Sequence, residues 1–292
     1  MTSFETTRVA GLGNPEIKSS LAKPRSAPNT MPNRPMLGVV CGSRGSGKSS
    51  AIINFVKLYA GHHFFDKVIV CSPTFYNDPK LGQLVDDRYE SQVVTDVNHE
   101  AVEDIIDGIK ADIEEYKSYQ RYIKVWERMM RAKDLDAYLS KADPEDVALL
   151  MENDYQPPTS RWKHGMPTTL WICDDLVGEK AIYNNSSFNK FLLQHRHFLT
   201  SVLFGVQVWK GGVPRGIRNN LSLALLFTNK SKPVRMEIAE ELSAFISPER
   251  FIEMWDFCCT EPYDFCMINW DDKNQTLTKL SRVSKNYYLV SC

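Results

Sequence analysis

The chain has 292 residues, 43% of them hydrophobic and 24% charged, which is enough apolar material for a full core and excludes disorder throughout. Lysines and arginines number 35 against 36 acids, a formal net charge of -1, so no global positive field holds the chain on nucleic acid and any grip on DNA must be local or shared among subunits. No apolar run approaches the roughly 20 residues of a membrane span, the N-terminal stretch lacks the layout of a secretory signal, and the 7 cysteines form no CxxC pair, so a soluble intracellular protein with reduced thiols is expected.

Residues 1 to about 35 are polar, rich in proline, serine and asparagine, and without hydrophobic period; they read as a flexible N-terminal tail ahead of one domain over 36–292. At Met36 the texture changes to a short apolar run, then a glycine-rich loop, then a stretch with helical spacing ending at Gly61. That is strand, loop, helix. Further buried strands are expected at Asp66–Thr74, Thr168–Asp175, Ser201–Gln207 and Leu223–Phe227, each built on a continuous apolar run. Strands of this kind separated by helical stretches predict an α/β fold with a mainly parallel central sheet.

Between the second and third of these strands lies a helical insertion, about 99–165. Val102, Ile105, Ile106, Ile109, Ile113 and Tyr116 make one helical stripe, and a later short helix is announced by Asp143 as N-cap and Pro144 at its first position. The insertion reads as a structural cover, with a lid or an inter-subunit contact as the sharper alternative. Beyond Phe227 a helical stretch leads to a C-terminal hairpin formed by Phe265–Trp270 and Leu277–Leu280. Cys258, Cys259 and Cys266 match no zinc spacing.

Chemistry concentrates at strand ends. Gly42, Ser43, Arg44, Gly45, Ser46, Gly47, Lys48 and Ser49, followed by Ser50, fit G-x-x-x-x-G-K-[ST] between a strand and a helix, the context this loop needs. Its backbone N–H groups and the helix N-terminus cradle a polyphosphate, Lys48 neutralises the β- and γ-phosphates, and the Ser49 hydroxyl suits Mg²⁺. Asp174 and Asp175 end an apolar strand at the carboxyl edge of the sheet. Asp174 suits the magnesium shell and Asp175 a general base, the alternative for Asp175 being an N-cap of a following helix. Gln207 ends the next strand and is placed to position water or sense the γ-phosphate. Arg196, at the end of an amphipathic helix, and Arg215 and Arg218, in a loop, are candidates for an arginine presented to a neighbour's γ-phosphate. His195 and His197 read as structural.

The loop at 42–50, the acid-ended strand, the tract from Arg196 to Gln207 and the segment Pro214–Asn220, in that order, resemble viral DNA-packaging ATPases of the FtsK–HerA superfamily, over roughly residues 36–230. The resemblance implies a RecA-like P-loop NTPase of the ASCE type, with the glutamine strand between the phosphate-loop strand and the acid strand. It implies ATP and Mg²⁺, with Asp174, Asp175 and Gln207 acting in cis and Arg196 or Arg218 completing a neighbour's site. It further implies a homo-oligomeric ring, a pentamer or hexamer, that moves double-stranded DNA into a preformed viral capsid at its portal vertex, in host cytoplasm or virus factory and in association with the virion. Many related motors have Asp-Glu where this chain has Asp174-Asp175, which shortens the base by one methylene. Lys210 to Arg218, Lys230 and Lys232 are the candidate DNA contacts. Two other functions fit the same loop: a nucleoside or nucleotide kinase, and a nucleotide-dependent scaffold with negligible turnover.

Overall fold

The computed structural model of the chain describes residues 25–28, 31–176, 182, 184–242 and 247–270, and the backbone of 277–280 and 287–290. Its frame is a nine-stranded sheet in the order β3-β2-β4-β5-β1-β6-β7-β8-β9. The strands are β1 Leu37–Cys41, β2 Lys67–Cys71, β3 Glu90–Val94, β4 Thr169–Asp174, β5 Thr200–Val206, β6 Leu223–Phe227, β7 Phe265–Asn269, β8 Leu277–Leu280 and β9 Tyr287–Val290. From β3 across to β6 every pairing is parallel. From β6 outward the pairings are antiparallel, so β7 and β8 form the expected hairpin and β9 extends it. The expected central order is present: β5 lies between β1 and β4, in register with both.

The central strands are apolar on both faces because both are covered. Alternation along each strand separates two cores. Leu37, Val39, Trp171, Phe204 and Leu226 point to one face, beneath the helices α2 His99–Arg131, α5 Ser186–Gln194, α8 Lys232–Leu242 and α9 Pro248–Cys258. Val40, Ile172, Leu203 and Leu225 point to the other, beneath α1 Lys48–Ala60. Cys41 and Cys71 belong to the first of these cores, and burial pushes both thiols up to about 12, so they are inert small hydrophobes.

α2 is a single helix of 33 residues, roughly 50 Å long at 1.5 Å per residue, capped by Asn98, whose side chain accepts from the Ala101 N–H. Val102, Ile105, Ile106, Ile109 and Ile113 of the expected stripe are buried, and Tyr116 is half-buried. The return of the insertion is tied to the sheet by charge. Asp112, buried on α2, receives Lys67 at 3.0 Å and Arg161 at 2.6 Å, and Arg161 also reaches Glu90 at 3.0 Å. Two cations keep this carboxylate from being a lone buried charge. The far end of α2 has its own small core of Tyr122, Val125, Met129 and Leu150, completed by α3 Leu135–Leu139 and by α4 Pro144–Glu152, where Asp143 is the N-cap as expected. None of the helices in the described residues is long and apolar enough to cross a membrane.

Two expectations change. Most of the tail lies outside the described residues, but Arg25 pairs with Asp66 at 2.6 Å, the Tyr59 hydroxyl donates to Pro32 O at 2.7 Å, and Met31 is buried, so the segment nearest the domain is docked where a flexible tail was expected up to residue 35. The stretch after β6 is two helices, α8 and α9, because Ser247 caps a new helix with Pro248 in its first turn.

Candidate nucleotide-binding site

The carboxyl ends of β1, β2, β4, β5 and β6 open on one edge of the sheet, and the phosphate-binding loop leaves from the first of them. Gly42 donates its N–H to Val206 O of β5 at 3.1 Å, so the loop starts while still tied to the neighbouring strand. It tightens through Ser46 N–H to Ser43 O at 3.2 Å. Gly47 then caps α1 with a φ of 104°, in the left-handed region that side-chain-bearing residues enter only at a cost of roughly 1–2 kcal/mol. Lys48 is the first residue of α1, and its ammonium donates to Gly42 O at 2.9 Å and Ser43 O at 3.1 Å, curled over the loop. Burial lowers the pKa of this ammonium, against the pull of Asp174 and Asp175. The Ser46 hydroxyl is buried with no hydrogen-bond partner. An orphaned hydroxyl and a lysine at a helix N-terminus fit an anionic ligand. Arg44 and Gly45 are exposed at the tip, Ser49 is half-buried and Ser50 is buried under α1.

On the β4 side stand the acids. Asp174, only 4% exposed, lies opposite Gly205 of β5. A Cβ on Gly205 would collide with Asp174 Oδ1 and come within 3.2 Å of Ile52 Cδ1 on α1, so the missing side chain is what makes room for this carboxylate. Burial, then the charge of Asp175, pushes Asp174 up to about 6, while Lys48 pulls the other way and Asp78, beyond the end of β2, adds to the rise. The chain turns at Asp175 with a φ of 54°, its N–H donating to Gly205 O at 3.1 Å. This strained backbone presents an exposed carboxylate, which accepts from Gln207 Nε2 at 2.8 Å. Lys48, Asp174, Asp175 and Gln207 are thus brought to one edge.

The arginines divide. Arg196 lies in the single-turn segment His195–Phe198 at the amino end of β5, on the opposite edge of the sheet, and is exposed. Seven strand residues at about 3.3 Å each put it roughly 20 Å from the loop's edge, out of reach of its own chain's site. Arg218 is clamped within its own chain. It belongs to α7 Arg215–Arg218, its side chain is 7% exposed, and it grips Glu241 of α8 with Nε at 2.8 Å and Nη2 at 3.1 Å. Trp209, in α6 Trp209–Gly212, donates to the same carboxylate at 2.7 Å. Lys210 pairs with Glu237 at 3.2 Å and stays exposed, as do Arg215, Lys230 and Lys232 among the candidate DNA contacts. His195 holds Thr200 O through Nδ1 at 2.7 Å, a structural role as expected.

Among the described residues no cluster of three or more His, Cys, Asp or Glu side chains could hold a metal on its own. Ser49 and Asp174 are hard oxygen donors, which fits an ion that takes one or two protein ligands and completes its shell with phosphate and water, the habit of Mg²⁺. Sequence reasoning missed Gly205 and Glu241. An isolated glycine inside an apolar strand is a signal of close approach and marks Gly205; nothing local marks Glu241.

The fold and loop together define an α/β protein of the P-loop class. No family model matches the chain, and no curated protein matches it. Solved structures similar to it include the genome packaging NTPase B204 from Sulfolobus turreted icosahedral virus 2 in complex with AMP, at 14% identity over 83% of this chain and 95% of that one, with a TM-score of 0.46. The DNA-packaging ATPase B204 from Sulfolobus Turreted Icosahedral Virus is similar at 13% identity, 84% and 96% coverage and a TM-score of 0.49. The pCW3 conjugation coupling protein TcpA is similar at 10% identity, 82% and 58% coverage and a TM-score of 0.42.

Proposed function

We propose that this chain is an ATPase that moves double-stranded DNA, packaging a viral genome into a preformed capsid as a subunit of a homo-oligomeric ring. The observation that carries the enzymatic part is the Gln207–Asp175 hydrogen bond beside a phosphate-binding loop, with Asp174 buried next to it. A scaffold that only binds nucleotide has no use for an exposed carboxylate held in a strained turn by a neighbouring strand's amide. Lys48 and the loop amides hold the β- and γ-phosphates. Ser49 and Asp174 would hold Mg²⁺, which draws charge from the phosphate oxygens when bound. Asp175 takes a proton from water as the water oxygen attacks the γ-phosphorus, the bond to the bridging oxygen breaks, and ADP leaves. Gln207 fixes the direction of the Asp175 carboxylate. Arg196, on the far edge, serves the site of an adjacent subunit. The DNA and capsid parts of the reading rest on the sequence resemblance, and place the protein in host cytoplasm or virus factory.

Steady-state ATP hydrolysis, with and without double-stranded DNA and across protein concentrations, tests this beside a Lys48→Ala control. Turnover rising with DNA and with concentration, and lost by at least about a hundredfold in the control, is expected. Turnover indifferent to DNA, or phosphate transfer to an added nucleoside, replaces the motor with a kinase or a DNA-independent hydrolase.

A further inference from the structure

The phosphate-binding loop has two flanks, the acidic one at the end of β4 and an aromatic one beside β6 and β7. On the aromatic flank, a Cβ built on Gly47 would meet Tyr263 Cδ1 at 3.3 Å, Phe227 Cε1 at 3.5 Å and Tyr263 Cβ at 3.7 Å, so both rings lie against the start of α1. Phe227 is buried, but Tyr263 is 45% exposed. Tyr263 also sits where its backbone disfavours it. The Asp264 N–H closes a four-residue turn on Glu261 O at 3.1 Å, with Pro262 second and Tyr263 third at a φ of 73°. Turns with that sign at the third position take glycine or asparagine, and a bulky aromatic there is an outlier. The turn is anchored on both sides: Asp264 is buried and its Oδ2 accepts from the Glu261 N–H at 3.2 Å, and the next residue, Phe265, pairs with Phe227. A firmly held turn thus carries a ring in a conformation glycine would fill without strain, and directs it over the phosphate loop.

We propose that Tyr263 is the platform on which the base of the nucleoside triphosphate stacks. This rests on the reading of the loop as a nucleoside triphosphate site and adds the subsite that reading leaves open. With the γ-phosphate toward Asp174 and Asp175, the nucleoside leaves the loop on the opposite flank, where this part-exposed ring lies beside Gly47. A ring face reads the π-system of a base and not its edge, so ATP and GTP both profit from it.

Binding of ATP, GTP and inorganic tripolyphosphate to wild type, Tyr263→Phe, Tyr263→Gly and Lys48→Ala separates the possibilities. Tyr263→Gly is chosen because it relieves the turn, so its melting temperature should stay level or rise. It is expected to bind both nucleotides about tenfold more weakly, the size of a lost base–aromatic stack, with tripolyphosphate affinity within about twofold of wild type, while Tyr263→Phe binds as wild type does. A Tyr263→Gly protein that keeps its ATP affinity, or loses ATP and tripolyphosphate alike, overturns the platform, while wild-type binding of tripolyphosphate and its loss in Lys48→Ala still support the loop as the phosphate site. Wild type that binds no tripolyphosphate, or a Lys48→Ala change that weakens nothing, overturns the phosphate site itself and the platform with it.

Discussion

Asp174 is the site side chain whose surroundings differ most from water, and the difference fixes a sign. Burial, reinforced by the charge of Asp175 and offset by Lys48, raises it from 3.8 to about 6. Between those values the folded chain keeps a proton that the unfolded chain has released, so stability falls as pH rises through the window and stays lower above it. A shift of about two pKa units corresponds to roughly 3 kcal/mol as an upper bound. Asp174→Asn has no charge to bury and carries none of this penalty. In thermal melts without nucleotide or magnesium, the variant should gain on wild type between pH 4 and pH 7 by on the order of 5 °C. Profiles that stay parallel across that range would mean that the carboxylate ionises freely and that its seat is wet.

At the scale of elements, that seat is made by two neighbouring strands. β4 supplies the acid and β5 supplies the space, since the position opposite Asp174 is Gly205. Gly205→Ala should therefore displace the carboxylate from the end of its strand, at a stability cost of about 1–3 kcal/mol, and raise the magnesium concentration needed for turnover by about tenfold or more. Unchanged magnesium dependence in a folded variant would show that Asp174 does not serve the ion. How much of this could be read from sequence follows from the elements. β1, β2, β4, β5 and β6 are covered on both faces, so each writes itself as a continuous apolar run, and the residues at their ends are legible with them. β3 was not, because it is an edge strand with Glu90 exposed and Ser91 and Gln92 half-buried. Arg218 shows the other limit. A loop arginine offered to solvent and one clamped by Glu241 look the same until α8 folds back over α6 and α7. Tyr263 and Gly47 likewise meet only because β6 and β7 bring them together.

At the scale of the whole molecule, the sheet separates the two halves of the proposed catalytic set. Lys48, Asp174, Asp175 and Gln207 sit at the carboxyl edge, and Arg196 sits beside the amino end of β5, which runs between those edges. No side-chain rearrangement within one chain spans that distance, so Arg196 can contribute to phosphoryl transfer only across a subunit boundary, in a head-to-tail arrangement that closes a ring. Arg196→Ala and Lys48→Ala proteins should each be close to inactive. Mixed together they should recover turnover, because a Lys48→Ala subunit still offers its arginine to an Arg196→Ala neighbour whose loop is intact. Random mixing of equal amounts in a closed ring makes about a quarter of the interfaces competent, so recovery toward that fraction of wild-type turnover is expected, appearing only at protein concentrations where the ring forms. No recovery on mixing, with each variant folded and Arg196→Ala impaired even where the chain is monomeric, would place the arginine's effect inside its own subunit and remove the shared site from the mechanism.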